Sequence, residues 1–151
     1  MLDDADRRIL RAIQINPDLT MRELGEATGL SHTPCWRRLQ KMKDDGVIGE
    51  KQYVLRPEAL GFEVTVFCLV RMKEHSRDKL LDFEAAVARV PQVMQCYSIT
   101  GDHDYILRVL ALSIRDYEAT IKSALVSLPH VAAISTSVTL KEVKNSTVVP
   151  V

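Results

Sequence analysis

The sequence predicts an α+β protein with two small domains, an N-terminal winged helix-turn-helix domain and a C-terminal ferredoxin-like βαββαβ domain. Three observations support this prediction. Apolar residues recur at helical spacing in three short segments before residue 46. Proline and glycine then mark a linker over residues 56–61. After that linker, the order strand, Ser-capped helix, Val/Leu-Pro-x-Val, strand occurs twice.

The composition is that of an ordinary globular protein, with 46% hydrophobic and 26% charged residues in a chain of 151. The longest apolar run, residues 64–70, is too short to cross a membrane, and the acidic start lacks the basic region of a signal peptide. We therefore expect a cytoplasmic protein with no membrane partner. Three widely separated cysteines predict reduced structural thiols. Because the formal net charge is zero, any DNA binding must depend on a local basic patch.

Two helices are predicted before residue 30. The first spans residues 3–15, where apolar residues recur on one face. A capping box, Thr20-Met-Arg-Glu23, starts the second helix. We expect the second helix to bury Leu24 and Ala27 and to end at Gly29. A third helix follows almost at once, which is the order of a helix-turn-helix.

The third helix, residues 31–43, is amphipathic. Ser31 is the predicted N-cap, and its hydroxyl is expected to accept a hydrogen bond from the Thr33 N–H. The apolar face consists of residues at positions i, i+4 and i+7, namely Cys35, Leu39 and Met42. Gly46 is suited to the left-handed conformation that ends many helices.

The opposite face of this helix carries hydrogen-bonding groups, an aromatic ring and cations, but no carboxylate. It predicts a recognition helix whose N-terminal half enters the DNA major groove. We expect Arg37 to contact guanine, because a guanidinium can bridge O6 and N7, and Arg38 and Lys41 to hold phosphates. The predicted DNA-binding residues are Arg22, Ser31, His32, Thr33, Trp36, Arg37, Arg38 and Lys41.

The domain boundaries follow from these features. Residues 1–50 are predicted to form the helix-turn-helix domain. Residues 51–62 are predicted to form a linker with a β-strand, since Tyr53 and Val54 are strand formers. Residues 63–151 are predicted to form the ferredoxin-like domain, responsible for effector binding and oligomerisation.

The repeated half of the chain predicts a four-stranded antiparallel sheet with two helices on one face. The strands are expected at 63–72, 93–100, 105–111 and 131–140, and the helices at 76–89 and 113–128. The residues expected to be buried by these helices are Leu80, Phe83, Val87, Tyr117, Ile121, Ala124 and Leu128. The first strand is apolar on both faces, with Val66 on one and Phe67 on the other, which predicts a partner subunit on the open face.

The hairpin between the middle strands, Thr100-Gly-Asp-His-Asp-Tyr105, is a candidate ligand site. Gly101 and Asp102 are also ordinary turn residues, and that alone can explain them. The side chains of Asp102, His103 and Asp104 are metal-ligand types, but no fourth ligand lies at a telling spacing. A small zwitterion fits better, because backbone N–H groups can bind its carboxylate and an acidic side chain its ammonium.

The order of these domains resembles the Lrp/AsnC family of feast/famine transcriptional regulators along nearly the whole chain. The motifs that carry the resemblance are Leu2-Asp3, Asp6-Arg-Arg-Ile-Leu10, Leu30-Ser31, Thr33-Pro-Cys-Trp-Arg-Arg-Leu39, Gly46-Val-Ile48, Gly101-Asp-His-Asp-Tyr105 and Leu128-Pro-His-Val131. The Thr-Pro-Cys motif and the segment Ser146-Thr-Val-Val-Pro-Val151 are most similar to the leucine-responsive branch.

The resemblance implies a nucleoid-associated regulator that binds double-stranded DNA as a homodimer, with dimers assembling to octamers or similar rings. It also implies an amino-acid effector bound between dimers. The effector-binding residues implied are Gly101, Asp102, His103, Asp104, Ser135, Thr136 and Ser137. Many relatives carry an aromatic or another residue at the position of His103, and this departure leaves the identity of the effector open.

We therefore expect a sequence-specific DNA-binding regulator with no catalytic residue, cofactor or metal, because no phosphate loop, catalytic triad or metal-helix motif is present. One alternative is a tetrapyrrole-modifying enzyme of the same two-domain fold, which the acid-free basic helix face disfavours. The other alternative is a ligand-free oligomerisation or architectural DNA-binding protein.

Overall fold

The computed structural model of the chain describes residues 2–151, apart from the side chain of Thr120, and divides them into two compact units. The first unit runs to Val54 and also includes Lys144–Val151, while the second spans Leu55–Val143. The C-terminal segment thus folds with the first unit, whereas the sequence predicts that the second domain continues to residue 151. No described helix is long and apolar enough to span a membrane.

Three helices form the first unit: α1 (Asp4–Ile15), α2 (Met21–Thr28) and α3 (His32–Asp44). The predicted capping box of α2 is confirmed, because Thr20 and Glu23 bond reciprocally at 2.8 and 3.3 Å. The helix ends at Gly29, whose φ of 69° is left-handed as predicted. Ser31 is the N-cap residue of α3, as predicted, but the predicted hydrogen bond from the Thr33 N–H to its hydroxyl is absent.

The core of the first unit consists of five buried residues, Ile9, Leu10, Leu24, Cys35 and Met42. Leu24 is buried as predicted, but the prediction for Ala27 is wrong, because Ala27 is exposed and Gly25 and Thr28 are buried instead. A Cβ atom on Gly25 would lie 2.7 Å from the Leu30 carbonyl oxygen. The absence of a side chain at Gly25 therefore allows the inward face of α2 to approach the backbone that starts α3.

The predicted strand in the linker does not form. Residues 50–56 have no regular secondary structure, and a short 3-10 helix, Pro57–Leu60, follows. Tyr53 and Val54 have suitable strand propensity, but both are exposed. A strand also requires a neighbouring backbone to pair with, and propensity alone does not supply one.

The second unit has the predicted ferredoxin-like fold. Its elements are β1 (Val64–Met72), α4 (Arg77–Val87), β2 (Val93–Ser98), β3 (Tyr105–Ala111), α5 (Ile114–Asp116), a π-helical turn (Tyr117–Ile121), α6 (Lys122–Val126) and β4 (Val131–Val138). The antiparallel sheet has the order β2-β3-β1-β4. Side chains of the helices pack with one face of the sheet to form the core, and the other face carries no helix.

The π-helical turn changes which residues of the last helical segment point inward. Tyr117 and Ile121 are buried as predicted, but Ala124 is exposed and Leu125 is fully buried. A π turn closes i→i+5 rather than i→i+4 hydrogen bonds, so it shifts the inward face along the chain. The prediction for Ala124 assumed regular α-helical spacing and is wrong for that reason.

Candidate DNA-binding surface and effector loop

The outer face of α3 is exposed along the length that the amphipathic pattern predicts. Cys35 and Met42 are buried against the core, and Leu39 is half-buried. The exposed residues of this outer face are Ser31, His32, Thr33, Trp36, Arg37, Gln40 and Lys41. Trp36 is 52% exposed, so a large aromatic surface faces solvent beside the cations.

Arg38 lies on the flank of this face and is held by the start of α1. Its Nη1 atom is 2.7 Å from Asp3 Oδ2 and 2.8 Å from Asp6 Oδ1. Hydrogen bonds to Asp6 and Asp3 raise the pKa of Arg38. The pKa of Asp3 is lowered mainly by the hydrogen bond from the Asp6 N–H and, to a smaller extent, by the hydrogen bond from Arg38. The guanidinium therefore fastens α3 to α1, and phosphate binding, its predicted role, must compete with these two carboxylates.

The remaining predicted phosphate contacts are also paired, although more loosely. Lys41 forms an exposed ion pair with Asp45, four residues later on the same helix. Arg22 on α2 lies 3.9 Å from Glu26, and both side chains are largely exposed. Exposed pairs of this kind contribute little stability, so a phosphate can displace the acid.

Arg37 differs from these cations because it makes no ion pair with any residue in the described part of the chain. Its neighbours on the outer face are Trp36 and Gln40, and its side chain is exposed. A guanidinium with all its donors free can form the paired hydrogen bonds that guanine O6 and N7 accept. The geometry of the first unit therefore makes Arg37 the side chain best prepared to contact a base.

The close approach of α2 to the start of α3 fixes the direction of this face. The Leu30 N–H donates to the Gly25 carbonyl at 3.0 Å, and the Arg8 Nε donates to the Thr28 carbonyl at 3.0 Å. Cys35 is buried beside Thr28, and burial raises the pKa of its thiol. The residue is thus a packing group, as predicted, and not a reactive thiolate.

The effector loop, residues 100–104, connects β2 to β3 at the end of the sheet. Gly101 has φ of 113°, a conformation that glycine adopts without strain. The Asp104 N–H donates to the Val70 carbonyl at 2.9 Å, and Arg71 Nε donates to the Asp102 carbonyl at 3.2 Å. Both bonds fasten the loop to the end of β1.

The carboxylate of Asp104 also bonds to residues at and after the end of β1. Its Oδ2 accepts from the Met72 N–H at 2.7 Å, and its Oδ1 lies 2.7 Å from His75 Nε2. Partial burial raises the pKa of Asp104, but the Met72 N–H and His75 outweigh it and leave the pKa below its ordinary value. In contrast, the side chains of Asp102 and His103 make no hydrogen bond to other described residues. These two are therefore free to contact a ligand.

The three predicted effector residues of β4 do not share one face of the sheet. Ser135 pairs with Leu69 and Ser137 with Phe67, so both face the open side. Thr136 pairs with Cys68 on the helix side, beside the hydroxyl of buried Tyr117. Successive side chains of a strand point to opposite faces, so Thr136 cannot face the same ligand as its two neighbours within one chain.

Sequence reasoning missed Arg71 and His75, which hold the effector loop in place. Both lie about thirty residues before the loop, where no local spacing connects them to it. His75 is largely exposed, and its Nε2 nevertheless lies 2.7 Å from Asp104 Oδ1. The end of a predicted strand was the available signal, because a hairpin next to β1 in the sheet must contact that end.

Comparisons with known proteins give matches to both units of the chain. The family model described as the Lrp/AsnC ligand binding domain matches residues 65–149, and a winged helix-turn-helix DNA-binding model matches residues 2–48. A glutamate uptake regulatory protein of Zymomonas mobilis is 40% identical over 149 residues, covering 99% of this chain and 90% of that protein. The DNA-binding transcriptional activator DecR of Escherichia coli is 32% identical over 151 residues, covering 100% of this chain and 99% of that protein.

Two solved structures have nearly the same fold over their whole length. A crystal structure of an AsnC family transcriptional regulator from Agrobacterium tumefaciens has a TM-score of 0.92 at 37% identity, covering 99% of this chain and 97% of the other. A transcriptional regulator from Neisseria meningitidis, solved as a complex with L-Met, has a TM-score of 0.92 at 33% identity with the same coverage.

Proposed function

Since the chain belongs to the Lrp/AsnC family of DNA-binding transcriptional regulators, we propose that it reads a specific operator through Arg37 and is regulated by a free amino acid at the effector loop. The observation that carries the DNA-reading role is the contrast on α3 between Arg37, which has no ion pair among the described residues, and Arg38 and Lys41, which are paired with acids. Trp36 and Thr33 flank Arg37 and supply apolar contact to thymine methyl groups or to the DNA backbone.

The functional unit is a homodimer that pairs through the open sheet face. Phe67 is 36% and Tyr97 56% exposed on that face, and Tyr97, Ile106 and Leu69 are neighbours in register across three strands. An uncovered apolar sheet face of this kind favours a protein partner. A two-fold dimer presents two copies of α3 to a pseudo-palindromic site, and assembly of dimers to octamers strengthens binding through multivalency. The protein acts in the cytoplasm, associated with the nucleoid.

The effector is an amino acid. The free side chain of Asp102 binds its ammonium group, and the backbone N–H groups around Gly101 bind its carboxylate. His103 lies next to them, and Ser135 and Ser137 face the open side of the sheet. The relative from Neisseria meningitidis that was solved with L-Met supports this ligand class. Asp104 positions the loop and does not serve as the main ammonium contact.

The DNA-reading role is tested by comparing Arg37→Ala with Lys41→Ala on a selected operator and on random duplex DNA. Arg37→Ala is expected to cost about 1–3 kcal/mol at the operator and much less on random DNA, because it removes a base contact. Lys41→Ala is expected to weaken both duplexes alike and to reduce the salt dependence of binding. An equal loss on both duplexes for Arg37→Ala would show that Arg37 is another phosphate contact.

The effector role is tested by a thermal-shift screen with each free amino acid. A ligand that binds the native state raises the melting temperature, and Asp102→Asn should abolish that rise. Asp82→Asn, which removes an exposed carboxylate on α4, is the matched control and should leave it intact. No response to any amino acid would favour the ligand-free architectural protein over the regulated one.

A further inference from the structure

The first unit has a groove of about 980 Å³ on the side of the core, and the C-terminal segment forms part of its lining. Side chains from all three helices line this groove, among them Leu10, Ile13, Leu24 and Leu39. Thr147, Val149 and Val151 line it from the C-terminal segment. The groove is thus lined jointly by the three helices and by a segment that follows them by about a hundred positions in the chain.

The contacts of this segment are specific. The Val149 N–H donates to Gln14 Oε1 at 2.7 Å, and Gln14 Nε2 donates back to the Val149 carbonyl at 3.2 Å. Arg11 Nε donates to the Val151 carbonyl at 2.6 Å, and the Val151 side chain packs against the core cluster of the unit. One face of α1 therefore recognises an extended backbone through two side chains, in the way that a neighbouring strand would.

We propose that residues 144–151 form a strap that docks in this groove and completes the fold of the DNA-binding unit. The core of the unit has five buried residues, which is a small core for three helices. The strap covers the apolar side of that core, where Leu10 and Leu24 face the groove. The occupant is the chain's own segment, and its docking stabilises α1 and α3 in the arrangement that exposes Arg37.

The strap is also a second covalent link between the two units. Thr139, directly after β4, donates through both its N–H and its Oγ1 to the Thr65 carbonyl, at 2.9 and 3.0 Å. Residues 140–143 are exposed, and the strap begins at Lys144. The integrity of the DNA-binding unit thus depends on a segment that leaves the edge strand carrying Ser135 and Ser137.

The first test is a pair of equal substitutions in the full chain without DNA or ligand. Trp36 is the sole tryptophan and lies on α3, so its fluorescence reports the unfolding of this unit. Val151→Asp places a charge against the core and should lower the midpoint of the Trp36 transition by about 5 °C. Val148→Asp changes an exposed valine that does not line the groove and should leave it unchanged. Equal midpoints of the Trp36 unfolding transition in the two variants would overturn the proposal that the strap stabilises this unit.

The second test follows the Val149 amide by hydrogen exchange. Gln14→Ala removes both bonds to Val149 and should accelerate its exchange about tenfold, while Gln40→Ala, on the outer face of α3, should have no effect.

A third test unfolds the Val151→Asp and Gln14→Ala chains and refolds them together. In the mixture, the intact groove of the Val151→Asp chain could receive the intact strap of a Gln14→Ala chain. If the midpoint of the Trp36 unfolding transition rose to its original value only in that mixture, the strap would come from a second copy, and docking within one chain would be overturned.

Because these tests use no DNA and no amino acid, their failure would leave the proposed regulatory function untouched. Failure of the operator or effector tests would equally leave the strap in place.

Discussion

The outer face of α3 and the effector loop are both exposed and polar, but they are held in place by different forces. Packing holds α3, through Cys35 and Met42 in the core and through the close approach of Gly25 to Leu30. Hydrogen bonds hold the loop, through Arg71, Met72 and His75. Each region also contains a charged group that the fold pairs, Arg38 or Asp104, beside one that has no partner among the described residues, Arg37 or Asp102.

Internal partners distinguish a structural charged group from a candidate binding group. Arg37 and Arg38 are adjacent and chemically identical, yet Arg38 is paired with two carboxylates and Arg37 with none among the described residues. The loop shows the same contrast: Asp104 has internal partners, whereas the Asp102 carboxylate has none among the described residues. A charged side chain with internal partners must lose them before it can bind a ligand, so the free member is the better candidate.

The largest effect is expected from disrupting the packing that holds α3. Gly25→Ala places a methyl group 2.7 Å from the Leu30 carbonyl oxygen, which belongs to the backbone and cannot rotate away. We expect a loss of about 2 kcal/mol in the stability of the first unit, measured by denaturant unfolding with Trp36 fluorescence. Gly49→Ala is the control, because nothing lies within 4 Å of a Cβ there. If the two variants were equally stable, packing at Gly25 would not position α3.

A smaller effect is expected when the paired arginine of α3 is removed. Arg38→Ala breaks its bonds to Asp3 and Asp6 and should lower the Trp36 midpoint by about 2 °C, while Arg37→Ala should leave it unchanged. High salt should reduce the difference, since both pairs are partly exposed. A larger loss of stability from Arg37→Ala than from Arg38→Ala would reverse the roles assigned to the two residues.

The smallest effect is expected in the loop, and it depends on pH. The pKa of Asp104 is lower in the folded chain than its ordinary value, so its ionised form stabilises the fold above that ordinary value. That contribution is lost as the pH falls through the lowered pKa. Asp104→Asn should therefore lower the melting temperature by about 1–2 °C at pH 7 and flatten its decrease below about pH 4.

Circular dichroism of the sheet measures this acid dependence. Asp102→Asn is the matched control, since the Asp102 carboxylate has no bond to other side chains or backbone in the described residues. An acid profile that Asp104→Asn leaves unchanged would show that hydrogen bonds to this carboxylate do not hold the loop.

Local sequence patterns predicted the elements well where the controlling contacts are themselves local. The capping box at Thr20, the glycine end of α2 and the repeated strand and helix order are all confirmed. The mistakes arise where a second, distant or irregular feature intervenes. The π turn, for example, moves burial from Ala124 to Leu125.

The candidate sites show the same division. Periodicity alone placed Trp36 and Arg37 on an exposed face, because a helix of known phase has a calculable outer side. It did not distinguish Arg37 from Arg38, since Asp3 and Asp6 lie on another helix. In β4, strict alternation separates Thr136 from Ser135 and Ser137, and that rule could have been applied to the sequence.

Hydrophobic period, capping and turn chemistry act over a few residues, so the α+β class, the order of the two domains and the exposed polar side of α3 are predictable from the sequence. The pairing of charged groups, the fastening of the effector loop by Arg71 and His75, and the place of residues 144–151 in the first unit emerge only in the folded chain. These outcomes depend on groups far apart in the chain, such as Gln14 and Val149, and only folding brings their donors and acceptors within hydrogen-bond distance.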